Sequence, residues 1–479
     1  MKRYREALSS YDKALELDPI YHFLCGARLN SKMYMCDWSD AEQEGSELEA
    51  SVQRRERAST PLFLLSATDT PEAQRIAAKV WVTHNSQANP HLESIHTRSK
   101  KGKIRIAYYS ADFREHPASF LAAELFKTHD REKFETFTFS FGPDSGDDMR
   151  LRVEAAFDKF VDVRSKSDLE IAMLSRSLEI DIAIDLAGFT QDSRAGIFAA
   201  RAAPIQVSYL GYLGTMGADY IDYLFANNTI IPHESRGDYV EKIAYLPSYQ
   251  VNDSKRQIAD RVFSRTELGL PDTGFVFCCF NNNFKILPAT FAGWMRILKQ
   301  VDGSVLFLYS ESNLAAENLK EEAAKQGIHP DRIIFGNKIP RPEYLARYRA
   351  ADLFLDTWPY NAGTTASDAL WAGLPVLTLT GRSFASRVAA SLLNAIHLPE
   401  LITSTQGEYE NLAVELATDP QHLADIKQTL ENNRLSTPLF NTQLTTRSIE
   451  AAYEVMYEHY QYGLPPEHIA TEHFTTEQG

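Results

Sequence analysis

Two segments of the chain carry side chains that suit the binding of one small anion. In CFNNNFKILP, Lys285 follows a hydrophobic run with strand character, and Asn282 lies three residues before it. A lysine at such a position offers a compact positive charge to a diphosphate. In YNAGTTASDALWAG, Gly363, Thr364 and Thr365 precede an apolar helix, whose free N–H groups and dipole favour a phosphate. A solvated loop lysine and an ordinary helix cap are the alternatives.

Further candidate chemistry lies in the first half of the chain. His116, in SADFREHPASFL, directly follows the first predicted strand, where an imidazole donates hydrogen bonds to sugar or phosphate oxygens or acts as a base. A surface loop histidine is the alternative. The glycines of VSYLGYLGTMGADY do not form the G-x-G-x-x-G pattern of dinucleotide sites. Asp-x-Asp, His-x-x-x-His and clustered Cys/His patterns are absent from the sequence, so we expect no metal cofactor.

Composition narrows the class of protein. The 479 residues contain 49 Lys+Arg and 64 Asp+Glu, for a net charge of −15, which argues against a general nucleic-acid binder but permits a local basic pocket. Four scattered cysteines predict neither a disulfide framework nor a zinc site. The charged start is not typical of a signal peptide, and no apolar run is long enough to span a membrane. We therefore expect a soluble cytoplasmic protein.

The elements that would position these residues form two series of alternating strands and helices. One series begins near Lys100 and the other near Phe275, with a linker over about 254–274. This alternation predicts an α/β fold of two doubly wound parallel sheets, with ligands at the carboxyl ends of the strands. Residues 1–19 predict an amphipathic helix that resembles half of a tetratricopeptide repeat. The predicted regions are 1–95, helical; 96–260, first lobe; 261–463, second lobe, ending in a helix over 443–462; and 464–479, a loosely held tail.

In order and spacing, several motifs resemble the catalytic region of the O-GlcNAc transferase/SPINDLY family, in particular its bacterial members. They are MCDWSD, SADFREHPAS, DLAGFTQDSRAGIFAARAAPIQVSYLGYLGT, CFNNNFKI, DTWPYNAGTTASDALWAGLPVLT and FASRVAASLL, spread over roughly residues 30–460. The resemblance implies a GT-B fold, two Rossmann-like lobes facing a cleft. It also implies metal-independent, inverting transfer of a sugar, most typically GlcNAc from UDP-GlcNAc, to Ser/Thr of proteins.

The resemblance also implies roles for single residues. Lys285 would be the catalytic lysine on the diphosphate, and His116 the histidine beside sugar and acceptor, either as a base or as a positioning group. The remaining matched positions would contact the nucleotide-sugar: Asn282, Arg341, Tyr344, Arg347, Gly363, Thr364, Thr365, Asp368, Leu210 and Gly211. Among these, Asp368 would hold the ribose, and the segment PRPEYLARYR would contact the base.

Three departures from the family pattern leave the donor open. Gly363 stands where animal members have histidine, Leu213 replaces the proline of LGYPGT, and Asn227 stands where aspartate is commoner. A glucosyl- or fucosyltransferase of the same family therefore remains an alternative, as does a catalytically inactive protein-binding scaffold. The sequence does not decide the oligomeric state.

Overall fold

The structure is a computed structural model that describes residues 3–88, 92–95, 98–100, 102–310 and 312–471. The chain divides into two compact units. Residues 1–73 and 256–437 form one, here called the Lys285 unit; residues 74–255 and 438–479 form the other, the His116 unit. The boundary at residues 255–256 falls within the predicted linker.

Strands and α-helices alternate from β1 to β5 and again from β8 to β13, in the two series that the sequence predicts. The helices are α1 Tyr4–Leu17, α2 Leu24–Met35, α3 Ala41–Gln53, α4 Pro61–Ala67, α5 Pro71–Asn85, α6 Pro117–Thr128, α7 Asp148–Glu154, α8 Asp168–Ser177, α9 Gly196–Ala199, α10 Pro288–Gln300, α11 Asn313–Lys325, α12 Arg341–Arg347, α13 Thr364–Trp371, α14 Val388–Ala395, α15 Gln406–Thr418, α16 Pro420–Asn433 and α17 Thr442–Gln461. The strands are β1 Ile104–Ser110, β2 Phe134–Ser140, β3 Lys159–Asp162, β4 Ile182–Asp185, β5 Ile205–Ser208, β6 Tyr223–Ala226, β7 Lys242–Tyr245, β8 Val276–Cys279, β9 Val305–Tyr309, β10 Ile333–Gly336, β11 Leu353–Leu355, β12 Val376–Leu379, β13 Ile402–Thr403 and β14 Ile469–Ala470.

Each unit is built on one parallel sheet. The strand order is β14-β7-β6-β5-β4-β1-β2-β3 in the His116 unit and β10-β9-β8-β11-β12-β13 in the Lys285 unit. The direction in which successive strands are added reverses between β1 and β4 in the His116 unit, and between β8 and β11 in the Lys285 unit. In open parallel sheets, ligands bind beyond the carboxyl ends of the strands at such a reversal. The predicted class, two Rossmann-like units with a helical segment in front, is confirmed.

The central strands are buried along their length, which explains why they read as continuous apolar runs. All four residues of β8 are fully buried, and so are all four of β4. A parallel sheet covered by helices on both faces requires this composition, because neither face of the sheet meets water.

Helices α1 to α4 belong to the Lys285 unit and most of α5 belongs to the His116 unit, so the helices do not form a region of their own as predicted for 1–95. The predicted first helix is confirmed as α1. Arg28 of α2 binds Asp12 of α1 and Glu44 of α3, each at 2.6 Å, and the ring of Trp38 lies 5.4 Å from that of Phe291 on α10. The contact of Trp38 with Phe291 joins residues far apart in sequence, which local patterning does not reveal. The tetratricopeptide assignment stays a prediction.

The last long helix is also grouped differently from the prediction. Helix α17 matches the predicted 443–462 helix, but it belongs to the His116 unit, not to a 261–463 lobe. The Glu450 carboxylate binds His129 Nδ1 at 2.9 Å and accepts the N–H of Asp130 at 2.8 Å. His129 Nε2 bonds the Tyr108 hydroxyl on β1 at 2.8 Å. This buried polar network fixes α17 against the first sheet.

The C-terminal segment 464–479, which the sequence predicts to be loosely held, contains residues that are fixed to the sheet. Ile469–Ala470 pair in parallel with β7, and Ile469 and Thr471 are buried. The prediction of a loosely held 464–479 segment is therefore wrong for these residues, because an apolar side chain and an unpaired sheet edge were available to hold them. Residues 472–479 lie outside the described part of the chain. No helix within the described ranges has both the length and the hydrophobicity to cross a membrane.

Replacing Glu450 with alanine should destabilise the protein. The change leaves the imidazole of His129 and the N–H of Asp130 without their acceptor in a buried site, which costs about 1–3 kcal/mol for each group. The free energy of unfolding in urea measures the loss. Glu458→Ala, at an exposed position of the same helix, should change it by less than about 0.5 kcal/mol. Equal effects of the two variants would contradict the structural role given to the network.

Candidate functional site

The reversal of strand order in the Lys285 unit brings two chain segments together. The turn after β8 carries Lys285, and the segment from Asp356 to Gly363 leads from β11 into α13. Strands β8 and β11 are hydrogen-bonded neighbours. Both segments therefore leave the same edge of the sheet side by side, as the sequence predicted.

Lys285 is half-buried and held in a defined position. Its Nζ donates to the carbonyl oxygen of Asn361 at 3.0 Å and lies 3.6 Å from the ring centroid of Tyr360. Loss of hydration lowers the pKa of the ammonium group to about 8, while the nearby Asp356 carboxylate partly opposes that shift. The lysine is thus a charged donor whose surroundings contain little water to compete with an anionic ligand.

Asp356 organises the second segment. Its carboxylate accepts the N–H groups of Thr357 at 2.8 Å and Ala362 at 2.7 Å, and the hydroxyl of Thr378 at 2.7 Å. Burial raises the pKa of Asp356 to about 7, and these donors and Lys285 oppose the shift. The carboxylate thereby closes the 356–362 turn that presents Tyr360 and the Asn361 carbonyl to the lysine. Sequence analysis overlooked it, although an aspartate ending an apolar strand was a visible signal.

A buried asparagine joins the two segments. Asn281 Nδ2 donates to the Thr357 hydroxyl at 2.8 Å, and Asn281 Oδ1 accepts the hydroxyl of Thr365 at the start of α13. No side chain caps α13, whose N-cap is Gly363. The first N–H groups of this helix, with Thr364 beside them, therefore remain suited to an anion. Asn281 was also missed, because it was counted as part of the loop around Asn282, which is exposed.

Asp368 lies in a buried cluster of charges. It is 1% exposed and binds Arg256 at 2.8 Å and Arg341 at 2.8 and 3.2 Å. Arg341 is thus brought to α13, as expected for a residue of the same site. The ribose contact assigned to Asp368 stays a prediction, and in this structure the carboxylate is already fully engaged by two guanidinium groups.

The aromatic side of the site contains Tyr344 and Arg347. The Arg347 guanidinium lies 4.4 Å from the ring of Phe280 and donates to the carbonyl oxygen of Asn337 at 2.7 Å, while burial lowers its pKa. The hydroxyls of Tyr344 and Tyr348 are 2.5 Å apart, and Tyr348 in turn bonds the carbonyl of Thr365. Both predicted residues lie at this edge of the sheet. Arg347 is only 2% exposed, so it packs beneath the site, against Phe280 and the carbonyl of Asn337.

In the His116 unit, the histidine begins a helix. His116 Nδ1 accepts the N–H of Ala118 at 3.3 Å as the N-cap of α6, and lies 3.5 Å from Asp112. Burial lowers the pKa of His116, and Asp112 opposes the shift; burial also raises the pKa of Asp112. Since a neutral imidazole that accepts at Nδ1 carries its hydrogen on Nε2, the free nitrogen of His116 is a hydrogen-bond donor.

Leu210 and Gly211 form a tight turn in the same unit. Leu210 has φ of 71°, a left-handed conformation for a residue with a side chain. A Cβ on Gly211 would lie 2.0 Å from the carbonyl oxygen of Leu186, so only glycine fits. Tyr249 donates its hydroxyl to the Leu210 carbonyl at 3.3 Å. The predicted backbone turn is present, and the sugar contact assigned to it stays a prediction.

The structure thus brings several of the predicted residues to the two segments described above. Lys285 binds Asn361, Thr365 binds Asn281 and Tyr348, and Arg341 binds Asp368 on α13, whereas the side chain of Asn282 is exposed. All four cysteines are free thiols in this structure. Within the described residues, no group of three or more His, Cys, Asp or Glu side chains is arranged to hold a metal ion.

Comparison with known proteins gives consistent matches. The sequence model of the family described as Glycosyl transferase family 41 matches residues 69–261 and 253–449. The chain is 33% identical over 463 residues to the probable UDP-N-acetylglucosamine–peptide N-acetylglucosaminyltransferase SEC of Arabidopsis thaliana, covering 92% of this chain and 47% of that protein. It is 28% identical to the UDP-N-acetylglucosamine–peptide N-acetylglucosaminyltransferase of Caenorhabditis elegans, covering 77% of this chain and 42% of that protein.

A solved structure resembles this one along nearly the whole chain. A lysine-to-methionine mutant of the O-GlcNAc transferase from Thermobaculum terrenum aligns with a TM-score of 0.81 and 27% identity, covering 96% of this chain and 88% of that one. The chain spans about half the length of the curated relatives that it matches.

Proposed function

The chain belongs to glycosyl transferase family 41, and on that premise we propose that it transfers a sugar, GlcNAc from UDP-GlcNAc, to Ser/Thr hydroxyls of proteins. The relatives named for this activity support the donor and the peptide acceptor. The observation that carries the proposal is Lys285, desolvated and fixed between the Asn361 carbonyl and the Tyr360 ring at the sheet reversal.

Lys285 supplies the charge that the reaction needs at its leaving group. Transfer breaks the bond between the anomeric carbon and the diphosphate oxygen, and negative charge develops on the departing UDP. A fixed ammonium group in a poorly hydrated site stabilises that charge without reorganising water. The uncapped start of α13, with Thr364 and Thr365, supplies further N–H and hydroxyl donors for the phosphates.

The protein side of this chemistry requires no metal. We propose that Lys285 and the α13 N-terminus together replace the divalent cation that many nucleotide-sugar enzymes use. We also propose inversion, by direct attack of the acceptor hydroxyl on the face opposite UDP. In this mechanism His116 orients a sugar or acceptor oxygen through its Nε2–H, because Nδ1 is occupied as the cap of α6. A role as base would need the other tautomer.

A donor panel tests the function most broadly. With a Ser/Thr-containing peptide library as acceptor and EDTA present, we expect nucleotide release and peptide glycosylation to be fastest with UDP-GlcNAc, compared with UDP-glucose and GDP-fucose. Mass spectrometry of the peptides and coupled detection of UDP or GDP measure both events. Faster transfer from another donor would replace GlcNAc by that sugar. No release from any donor, with no heat of UDP binding, would favour the scaffold alternative.

Lys285→Met should abolish most of the transfer. Removing one preorganised charge from a developing oxyanion lowers kcat by roughly 100- to 1000-fold, while methionine fills the half-buried position and leaves the fold intact. Initial rates and circular dichroism measure the two effects. Lys299→Met, at an exposed position of α10, is the matched control and should be unchanged. Equal rates for parent and Lys285→Met would remove the lysine from the mechanism.

A further inference from the structure

The N-terminal helices contact the lysine turn through aromatic rings. The ring of Tyr34, on α2, lies 4.9 Å from that of Phe284, the residue before Lys285. The ring of Phe284 contacts that of Tyr360 edge-on, with 6.0 Å between the centroids. The Nζ atom of Lys285 lies over the face of Tyr360, 3.6 Å from the ring centroid. Tyr4, on α1, stacks on Tyr34 at 4.6 Å between ring centroids. A series of ring contacts, one stacked, one tilted and one edge-on, thus leads from α1 to the lysine.

A second contact comes from the loop between α4 and α5. The Asp69 carboxylate accepts the N–H groups of Arg382 at 2.8 Å and Ser383 at 2.9 Å, as well as the hydroxyl of Ser386. A Cβ at Gly381 would lie 2.4 Å from the same carboxylate, so the loop after β12 can approach Asp69 only with glycine there. A residue from the N-terminal segment therefore fixes the 381–386 loop.

The 381–386 loop binds Asn361, the residue whose carbonyl oxygen accepts the hydrogen bond from Lys285. Asn361 donates its N–H to the carbonyl oxygen of Ala385 at 3.1 Å, and the Asn361 carbonyl accepts Lys285 Nζ at 3.0 Å. Asn361 is fully buried, and its amide group is tied to the Thr357 carbonyl at 2.8 Å. Three hydrogen-bonded steps therefore lead from Asp69 to the ammonium group.

We propose that Asp69 and Tyr34 are positioning residues for Lys285, so that the N-terminal helical segment is part of the transfer machinery. This inference rests on the proposed function, in which Lys285 faces the departing diphosphate. Neither residue contacts Lys285 itself. Asp69 acts through the 381–386 loop and Asn361, and Tyr34 acts through Phe284 and Tyr360. A displacement of about 1 Å in a catalytic group can cost about 100-fold in rate, which makes such support consequential.

Asp69→Asn and Tyr34→Leu test the proposal. Each should lower kcat by about 10- to 100-fold and leave the donor KM within about threefold. Each should also shift the alkaline limb of the pH–rate profile to higher pH. A Lys285 side chain that is held less tightly regains hydration, so its pKa rises toward the ordinary value of a lysine. Tyr34→Phe should retain parent behaviour, since the ring stack survives. Asp18→Asn and Tyr21→Leu, at exposed positions of the same segment, are the matched controls.

The pH limb separates positioning from mere stabilisation. A purely structural role would lower the urea midpoint and the folded fraction, yet leave kcat per folded molecule and the limb unchanged; that result would overturn the proposal. Failure of the proposed function is recognised separately, because the parent itself would then show no transfer that depends on Lys285. In that case, 13C NMR of reductively methylated protein, with Lys285→Arg for assignment, reports the lysine titration directly. An unchanged titration in Asp69→Asn and Tyr34→Leu would overturn the proposal there too.

Discussion

The buried carboxylate of Asp356 is the group on which the rest of the Lys285 site depends. It ends β11, binds the N–H groups of Thr357 and Ala362 and the hydroxyl of Thr378, and thereby shapes the turn that presents Tyr360 and Asn361. Its charge also favours the ammonium form of Lys285 against the cost of desolvation. The carboxylate of Asp356 inside the protein thus favours a positive charge on Lys285 at the edge of the sheet.

The position of this pair follows from topology. Both units repeat the same strand order, with a reversal after the first strand of each sheet. In the Lys285 unit that reversal makes β8 and β11 neighbours, although the 73 residues 280–352 lie between them in the sequence. In the His116 unit it places His116, after β1, at the same kind of edge. In each unit, the loop after the first strand of the sheet, at this reversal, carries one of the two candidate residues, Lys285 or His116.

Much of this could be predicted from sequence, for identifiable reasons. Lys285, Thr364 and Thr365 follow continuous apolar strands, and parallel strands must end at one edge, so their proximity was predictable. Asn281 was missed because its side chain bonds Thr357 and Thr365, which are 76 and 84 residues away. Asp356 was missed because its role comes from the buried turn that its carboxylate closes through Thr357 and Ala362. The cluster of Asp368 with Arg256 and Arg341, and the placement of α17 with the first sheet through Glu450, likewise arise from burial between distant segments. Hydrophobic periodicity and short motifs do not indicate which distant residues form such pairs.

The central claim is that the positive charge of Lys285 stabilises the departing diphosphate. The pH dependence of transfer between about pH 6 and 10 tests it most directly. We expect kcat/KM for the donor to fall above a pKa of about 8, the value to which desolvation lowers the free lysine, because only the protonated form is active. The alkaline limb of the kcat profile should lie at higher pH than that of kcat/KM, because a bound diphosphate favours the ammonium form of Lys285. Rates that stay flat to pH 10 in both parameters would contradict the account.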